Sequence, residues 1–221
     1  MTQNITTITT KKKYLIIFIY CLCFYAIWAV FEFYIKPNIS SQFIRSGLIK
    51  PAVWVLPATL LVYIFRDSVQ ISLKEMFVTK VKLVRYLWVY AFLAVYVLLG
   101  GFFVPGGLSF VINSDSMIIV LFVGITEEMV FRGWLLNATV RDMPQWLAIL
   151  LNSLLFLAIH FPRWIQEGIF ISTFASFNFI GIIVLSVIFS IAFLKSKNIM
   201  IPITMHMFYD AMIFIFLSQV S

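Results

Sequence analysis

The chain has 221 residues, of which 62% are hydrophobic and 11% are charged, and its mean hydropathy is +1.03. This composition excludes an ordinary water-soluble domain. The net charge of +7 would suggest nucleic-acid binding in a soluble protein. In a chain this apolar, the Lys and Arg residues are instead expected to set the membrane topology, and no nucleic-acid partner is expected.

Apolar stretches long enough to cross a bilayer occupy most of the chain. About 20 such residues are needed to span a hydrocarbon core of about 30 Å, and the sequence predicts about seven helices of this kind. In chain order they cover about 14–35, 48–65, 86–104, 116–136, 145–161, 170–194 and 199–217. The loops between them are short, so we expect an all-α, polytopic transmembrane helix bundle without a separate soluble domain.

The predicted organisation has three parts. Residues 1–13 form a polar cytoplasmic tail, which lacks apolar periodicity over 1–10 and is expected to be disordered there. Residues 14–110 hold spans one to three, and a cytoplasmic amphipathic helix near 67–85 is as well supported as a plain basic loop. Residues 111–221 hold spans four to seven, after a break at Pro105-Gly106.

The distribution of basic residues predicts the orientation of the bundle. Most of the sixteen Lys and Arg residues fall in segments that are cytoplasmic if the N-terminus lies inside. The outer segments keep Lys36, Arg45, Lys50 and Arg163. Under the positive-inside rule, this imbalance favours a cytoplasmic N-terminus.

Two adjacent acids, Glu127 and Glu128, interrupt the fourth predicted span. An acidic side chain at the bilayer centre costs on the order of 2.5–3.5 kcal/mol, so each needs a polar interior, a partner or a function. Arg132 lies one helical turn after Glu128, and the two are expected to form an ion pair. Glu127 points elsewhere and has no partner in its own helix, so it is the better candidate for a general base.

The two histidines of the chain lie in later apolar stretches. His160 is near the end of the fifth predicted span, and His206 is in the seventh, where Asp210 follows one turn later on the same helical face. A single histidine in a membrane helix is more often a packing residue than a catalyst. Nearly all deeply placed ionisable groups, however, occur on three helices of the second half, and this clustering favours a hydrolytic site.

Three short motifs occur in order on these helices. They are EExxxR (Glu127-Glu128 to Arg132), FxxxH (Phe156 to His160) and HxxxN/D (His206 to Asp210). Together they resemble the CPBP family of intramembrane proteases, also called Abi or CAAX proteases, which includes the type II CAAX prenyl endopeptidases. The resemblance extends from the fourth predicted span to the seventh.

The resemblance implies roles for individual residues. The implied catalytic positions are Glu127, His160, His206 and Asp210, with Glu128 and Arg132 supporting the helix that carries the first. Glu127 would activate a water molecule with the help of His160, and the other two would stabilise the oxyanion. Asp210 stands where many members have Asn. Because an ionised Asp cannot donate a hydrogen bond, it would be protonated, orient His206 or bind a metal.

A metal is a second open question. Glu127, His160 and His206 are of the residue types that bind zinc, and the family is commonly described as metalloproteases. The HExxH helix of soluble zinc proteases is absent, and a water held by Glu127 and His160 could react without metal. No cofactor is therefore certain from the sequence, and a divalent metal such as zinc stays open.

The resemblance, together with the short loops, implies an intramembrane endopeptidase of the bacterial plasma membrane. Its substrates would be membrane-embedded or membrane-tethered peptides, and its role would be peptide maturation or bacteriocin immunity. The main alternative is a non-catalytic membrane binding or immunity protein that uses the same polar core structurally. A bis-histidine haem protein or a proton-coupled carrier is a third interpretation, against which the adjacent carboxylates argue.

Overall fold

A computed structural model of the protein describes residues 2–103 and 107–217, the side chains of residues 2–10 excepted. Within these ranges the protein is all-helical, without strands. The α-helices are α1 (Thr2–Val30), α2 (Lys50–Ile64), α3 (Leu73–Val78), α4 (Leu87–Gly101), α5 (Ser114–Glu128), α6 (Asn137–Thr139), α7 (Gln145–Ala158), α8 (Phe161–Gln166), α9 (Phe170–Ala175), α10 (Asn178–Ser196) and α11 (Met200–Phe216). Wide π-helical turns occur at Phe31–Ile35, Ile44–Ile49 and Met129–Leu136, and 3₁₀ turns at Lys36–Asn38 and Leu83–Tyr86. The predicted Pro105-Gly106 break lies outside the described residues.

Several helical segments are long and apolar enough to cross a membrane, as expected for a multi-pass membrane protein. Within the residues that the structure describes, five segments meet both criteria: Lys11–Asn38, Ile44–Ile64, Leu83–Gly101, Gln145–Gln166 and Asn178–Ser196. The fourth predicted span corresponds to the helical segment from Ser114 to Thr139, which contains the charged motif, and the seventh to the 17-residue helix α11. The helical membrane bundle is confirmed, whereas the number of seven spans and their orientation stay predictions.

The first helix begins earlier than expected. α1 starts at Thr2, within the segment 1–10 that the sequence predicts to be a polar tail. The physical reason is that extending an existing helix adds one hydrogen bond per residue without a new nucleation step, and no Pro or Gly interrupts the segment.

The segment near 67–85 is not one long amphipathic helix. Only α3 and a short 3₁₀ turn are helical in it. The Asn137 side chain accepts a hydrogen bond from the Ile71 N–H at 2.8 Å and donates one to the Ile71 carbonyl at 2.7 Å. Ile71 and Met76 are buried in the core. Ile71 is thereby docked against the bundle, where its buried backbone finds its hydrogen-bond partners in the protein.

The most buried part of the fold directly follows the two adjacent glutamates. All residues of the π-helical segment Met129–Leu136 are buried. Phe131 in this segment packs edge-on against Trp54 of α2 and Phe156 of α7. α5 packs against α2 and α11, and α10 packs against α7 and α11. The charged motif of the fourth predicted span therefore lies at the centre of the bundle.

Gly124 allows the close approach of α5 and α11. A Cβ at this position would lie 2.8 Å from Met207 Cγ and 3.0 Å from the Ile203 carbonyl oxygen. We expect Gly124→Ala to lower the stability by about 1–3 kcal/mol, because the backbone of α11 must move. Gly100→Ala is the matched control, since a Cβ there meets no atom within 4 Å. Thermal unfolding in detergent checks this, and equal midpoints for the two variants would contradict the tight contact.

Candidate active site

Glu127 forms an ion pair with a lysine from the first half of the chain. Lys50 Nζ donates to Glu127 Oε1 at 2.8 Å, and each residue is only 7% exposed. The ammonium also lies 4.4 Å from the ring centre of Trp54 and 5.4 Å from that of Trp28, which are cation–π distances. Glu127 therefore has a buried partner, although none was available in its own helix.

Glu128 and Arg132 form the predicted i, i+4 ion pair. Arg132 NH1 donates to Glu128 Oε1 at 2.9 Å, and both side chains are fully buried. The guanidinium also donates to the Ser186 hydroxyl at 2.8 Å and to its carbonyl at 3.0 Å. Its Cζ lies 4.6 Å from the ring centre of Phe156. Arg132 thus joins the fourth predicted span to α10 and α7.

His206 lies among three carboxylates. Its Nδ1 is 2.8 Å from Glu128 Oε1. Glu128 is already paired with Arg132, and an ionised carboxylate can only accept, so the Nδ1 atom carries the proton. On the other side of the ring, Nε2 lies 3.9 Å from Glu127 Oε2 and 3.7 Å from Asp210 Oδ2. Both distances are too long for a hydrogen bond, so these groups can still bind a third atom.

His160 lies at the edge of this cluster. It follows the end of α7 and precedes α8, and its Nδ1 lies 2.8 Å from the Phe156 carbonyl oxygen. Because a carbonyl only accepts, Nδ1 is the donor, and Nε2 is left to accept in the neutral ring. The ring centres of His160 and His206 lie 5.3 Å and 6.0 Å from that of Phe156. The two histidines are therefore neighbours of one aromatic ring.

One π-helical segment directly precedes Lys50 in the chain, and another follows Glu127 and Glu128. The backbone N–H of Lys50 donates to the Arg45 carbonyl, five residues back, at the end of the segment Ile44–Ile49. Pro51 has no N–H, and its ring would crowd the carbonyl four residues before it, which accounts for widened turns here. The second wide segment, Met129–Leu136, begins directly after the two glutamates. Such π-helical turns are frequent at functional sites.

The arrangement does not fit a metal centre. Within the described residues, no three His, Cys, Asp or Glu side chains are grouped so that they could bind one metal ion. The chemistry of the donors agrees with this, because Lys50 takes one oxygen of Glu127 and His206 Nδ1 bonds to Glu128. The set of Glu127, His160 and His206 considered from the sequence is not assembled as metal ligands.

The structure brings most of the sequence-predicted residues together. Glu127, Glu128 and Asp210 each place a carboxylate oxygen within 4 Å of a ring nitrogen of His206. Lys50 was not predicted as a site residue, because its charge was interpreted only as an indicator of membrane topology. The signal was present, since Lys50 lies inside the predicted second span 48–65, and an ionisable residue within a span is a functional candidate by default.

Comparison with known proteins agrees with the motif assignment. Residues 109–212 match the family model described as Type II CAAX prenyl endopeptidase Rce1-like. No curated protein and no solved structure matches the chain significantly. The matched range contains both glutamates, both histidines and Asp210, and it excludes Lys50. The chain therefore carries, over residues 109–212, a domain of the Rce1-like family of type II CAAX prenyl endopeptidases, which is a family of proteases.

Proposed function

We propose that the protein is an intramembrane endopeptidase in which Glu127 activates the attacking water. The observation that carries this proposal is the gap of 3.9 Å between Glu127 Oε2 and His206 Nε2. A proton acceptor and a potential donor face each other there without bonding, inside a buried site of a protease-family domain. A water molecule and a scissile carbonyl can use both groups.

The reaction begins at the free oxygen of Glu127. Oε2 takes a proton from water while the water oxygen bonds to the carbonyl carbon of the scissile peptide. The carbonyl electrons move to its oxygen, giving a tetrahedral oxyanion. Glu127 then passes the proton to the amide nitrogen, the C–N bond breaks, and a carboxylic acid and an amine are released.

His206 is suited to stabilise the oxyanion. Glu128 fixes its Nδ1 proton, and the neighbouring carboxylates stabilise the imidazolium form, in which Nε2 also donates. A donor of this kind contributes about 2.7–4 kcal/mol in well-studied hydrolases. Asp210 faces the same nitrogen at 3.7 Å. We assign to Asp210 the orientation of His206 rather than direct donation to the oxyanion.

His160 has a smaller part in this scheme. Its Nδ1 is bonded to the Phe156 carbonyl, which leaves Nε2 as an acceptor for the water that Glu127 deprotonates. His160 lies between α7 and α8, within the apolar segment Gln145–Gln166. We therefore assign to it the positioning of water.

The proposed substrates are membrane-embedded or membrane-tethered peptides, because the site lies in a bundle of apolar helices. Peptide pheromones, immature bacteriocins and small membrane proteins of a bacterial plasma membrane are members of this class. Maturation of such a peptide, or immunity against it, would be the biological result of cleavage.

A comparison of membrane peptides tests the proposal. Cells expressing wild-type protein, Glu127→Gln or the control Glu167→Gln are compared by mass spectrometry of their membrane fractions. Glu167 pairs with Arg163 on an exposed helix face, so its variant should behave like the wild type. We expect peptide products with wild type and control that are missing with Glu127→Gln.

The same experiment separates catalysis from the non-catalytic alternative. If well-accumulated Glu127→Gln gives the same peptides and the same immunity phenotype as wild type, the peptidase proposal is wrong. A polar core with a purely structural role would then be the better explanation.

A further inference from the structure

Lys50 is placed in the site by the local structure of its own helix. It lies in the continuous apolar helical segment Ile44–Ile64 and is buried. Trp54 follows one turn later, so its ring lies beneath the lysine ammonium at 4.4 Å. Trp28 of α1 covers the ammonium from a second helix. A buried ammonium enclosed by indole rings has a defined position.

The charges of the site require this lysine. A buried carboxylate is strongly unfavourable unless it is paired and hydrogen-bonded. Arg132 already donates its hydrogen bonds to Glu128 and Ser186. Lys50 is therefore the cation that faces Glu127 directly, within the part of the chain that the structure describes.

Lys50 binds only one of the two carboxylate oxygens of Glu127, which leaves the other free to act as a base. Lys50 holds Oε1 of Glu127 at 2.8 Å, while Oε2 is directed towards His206. Asp210, on the far side of the same imidazole nitrogen, adds a further acid to the cluster. The lysine that binds Glu127 comes from outside the range 109–212 that matches the Rce1-like family model.

We infer that Lys50 is a positioning residue of the peptidase site: it fixes Glu127 by one oxygen, so that the other faces His206, and it offsets the negative charge of Glu127. This inference rests on the proposed function for its catalytic part. The other groups near Glu127 are His160, Glu128 and Arg132, and the latter two compensate each other.

The activity test uses the peptide product found with the wild-type protein. We expect Lys50→Met to lower kcat at least tenfold, because Glu127 is no longer held in its orientation. KM should change little, because Lys50 has no proposed contact with the substrate. Lys50→Arg should keep most of the activity, since it retains the charge. Lys36→Met, which breaks the Lys36–Glu32 pair, is the matched control.

A stability cycle tests the pairing independently of activity. Thermal midpoints in detergent are measured for Lys50→Met, Glu127→Gln and the double variant. We expect the double variant to lose clearly less than the sum of the single losses, since the two residues interact. If Lys50→Met does not accumulate, Lys50→Gln takes its place in both tests.

The outcomes separate the two proposals. Additive losses in the stability cycle overturn the inference on Lys50, whatever the activity. A stable Lys50→Met variant with kcat within twofold of wild type overturns it as well. Equal peptide turnover by wild type and Glu127→Gln would instead overturn the proposed function, while the cycle would still report whether Lys50 holds Glu127.

Discussion

Purified protein carrying Glu127→Gln is expected to hydrolyse its peptide substrate about 10²–10⁴-fold more slowly than wild type, the usual contribution of a general base. The glutamine has the same shape, and its carbonyl oxygen can still accept the hydrogen bond from Lys50 Nζ. It cannot take a proton from water. The loss should therefore appear in kcat, while KM stays close to that of the wild type.

The control for this measurement is the Glu167→Gln variant, which makes the same chemical change in an exposed pair with Arg163. Its kcat should equal that of wild type. A Glu127→Gln enzyme with a kcat within a few-fold of wild type would contradict the role of Glu127 as the base.

The second large effect concerns stability. Replacing Arg132 by Met is expected to destabilise the protein by about 3–5 kcal/mol, because it leaves the Glu128 carboxylate buried without its guanidinium partner. Both side chains are 0% exposed, and Arg132 also donates two hydrogen bonds to Ser186. Unfolding of the protein in detergent, by heat or by added SDS, measures the change.

The Glu128→Gln/Arg132→Met double variant separates charge from packing. Removing both charges relieves the uncompensated carboxylate, so the double variant should be more stable than Arg132→Met alone. A double variant that is less stable than Arg132→Met would show that packing, rather than ion pairing, determines the cost. Arg163→Met, at the exposed pair, should change the stability by less than about 1 kcal/mol.

Interactions within one helix were predictable from the sequence. The Glu128–Arg132 pair is confirmed at 2.9 Å, and His206 and Asp210 lie on one face with 3.7 Å between Nε2 and Oδ2. Both contacts follow from helical geometry, because residues four positions apart lie on the same face of one helix, whatever other helices surround it. The all-helical class and the protease-family domain also followed from local patterns of hydrophobicity and motif residues.

Interactions between distant segments were not predictable in this way. The partner of Glu127 is 77 positions away in the chain. The hydrogen bonds between Ile71 and Asn137 join residues that are 66 positions apart, and the helical periodicity of residues 67–85 did not predict them. Helical periodicity gives the direction of a side chain relative to its own axis. It does not say which other helix lies there, and without that information a buried lysine resembles a topology marker.

Part of the candidate active site comes from helices outside the range that matches the Rce1-like family model. Trp28, Lys50 and Trp54 all belong to the first two apolar segments, outside the Rce1-like range 109–212. These segments therefore cannot be regarded as an interchangeable anchor joined to a self-sufficient catalytic module. A chimaera with the N-terminal helices of another family member would inherit its own glutamate but lose the cation that faces it. The two parts of the chain are expected to have changed together during evolution.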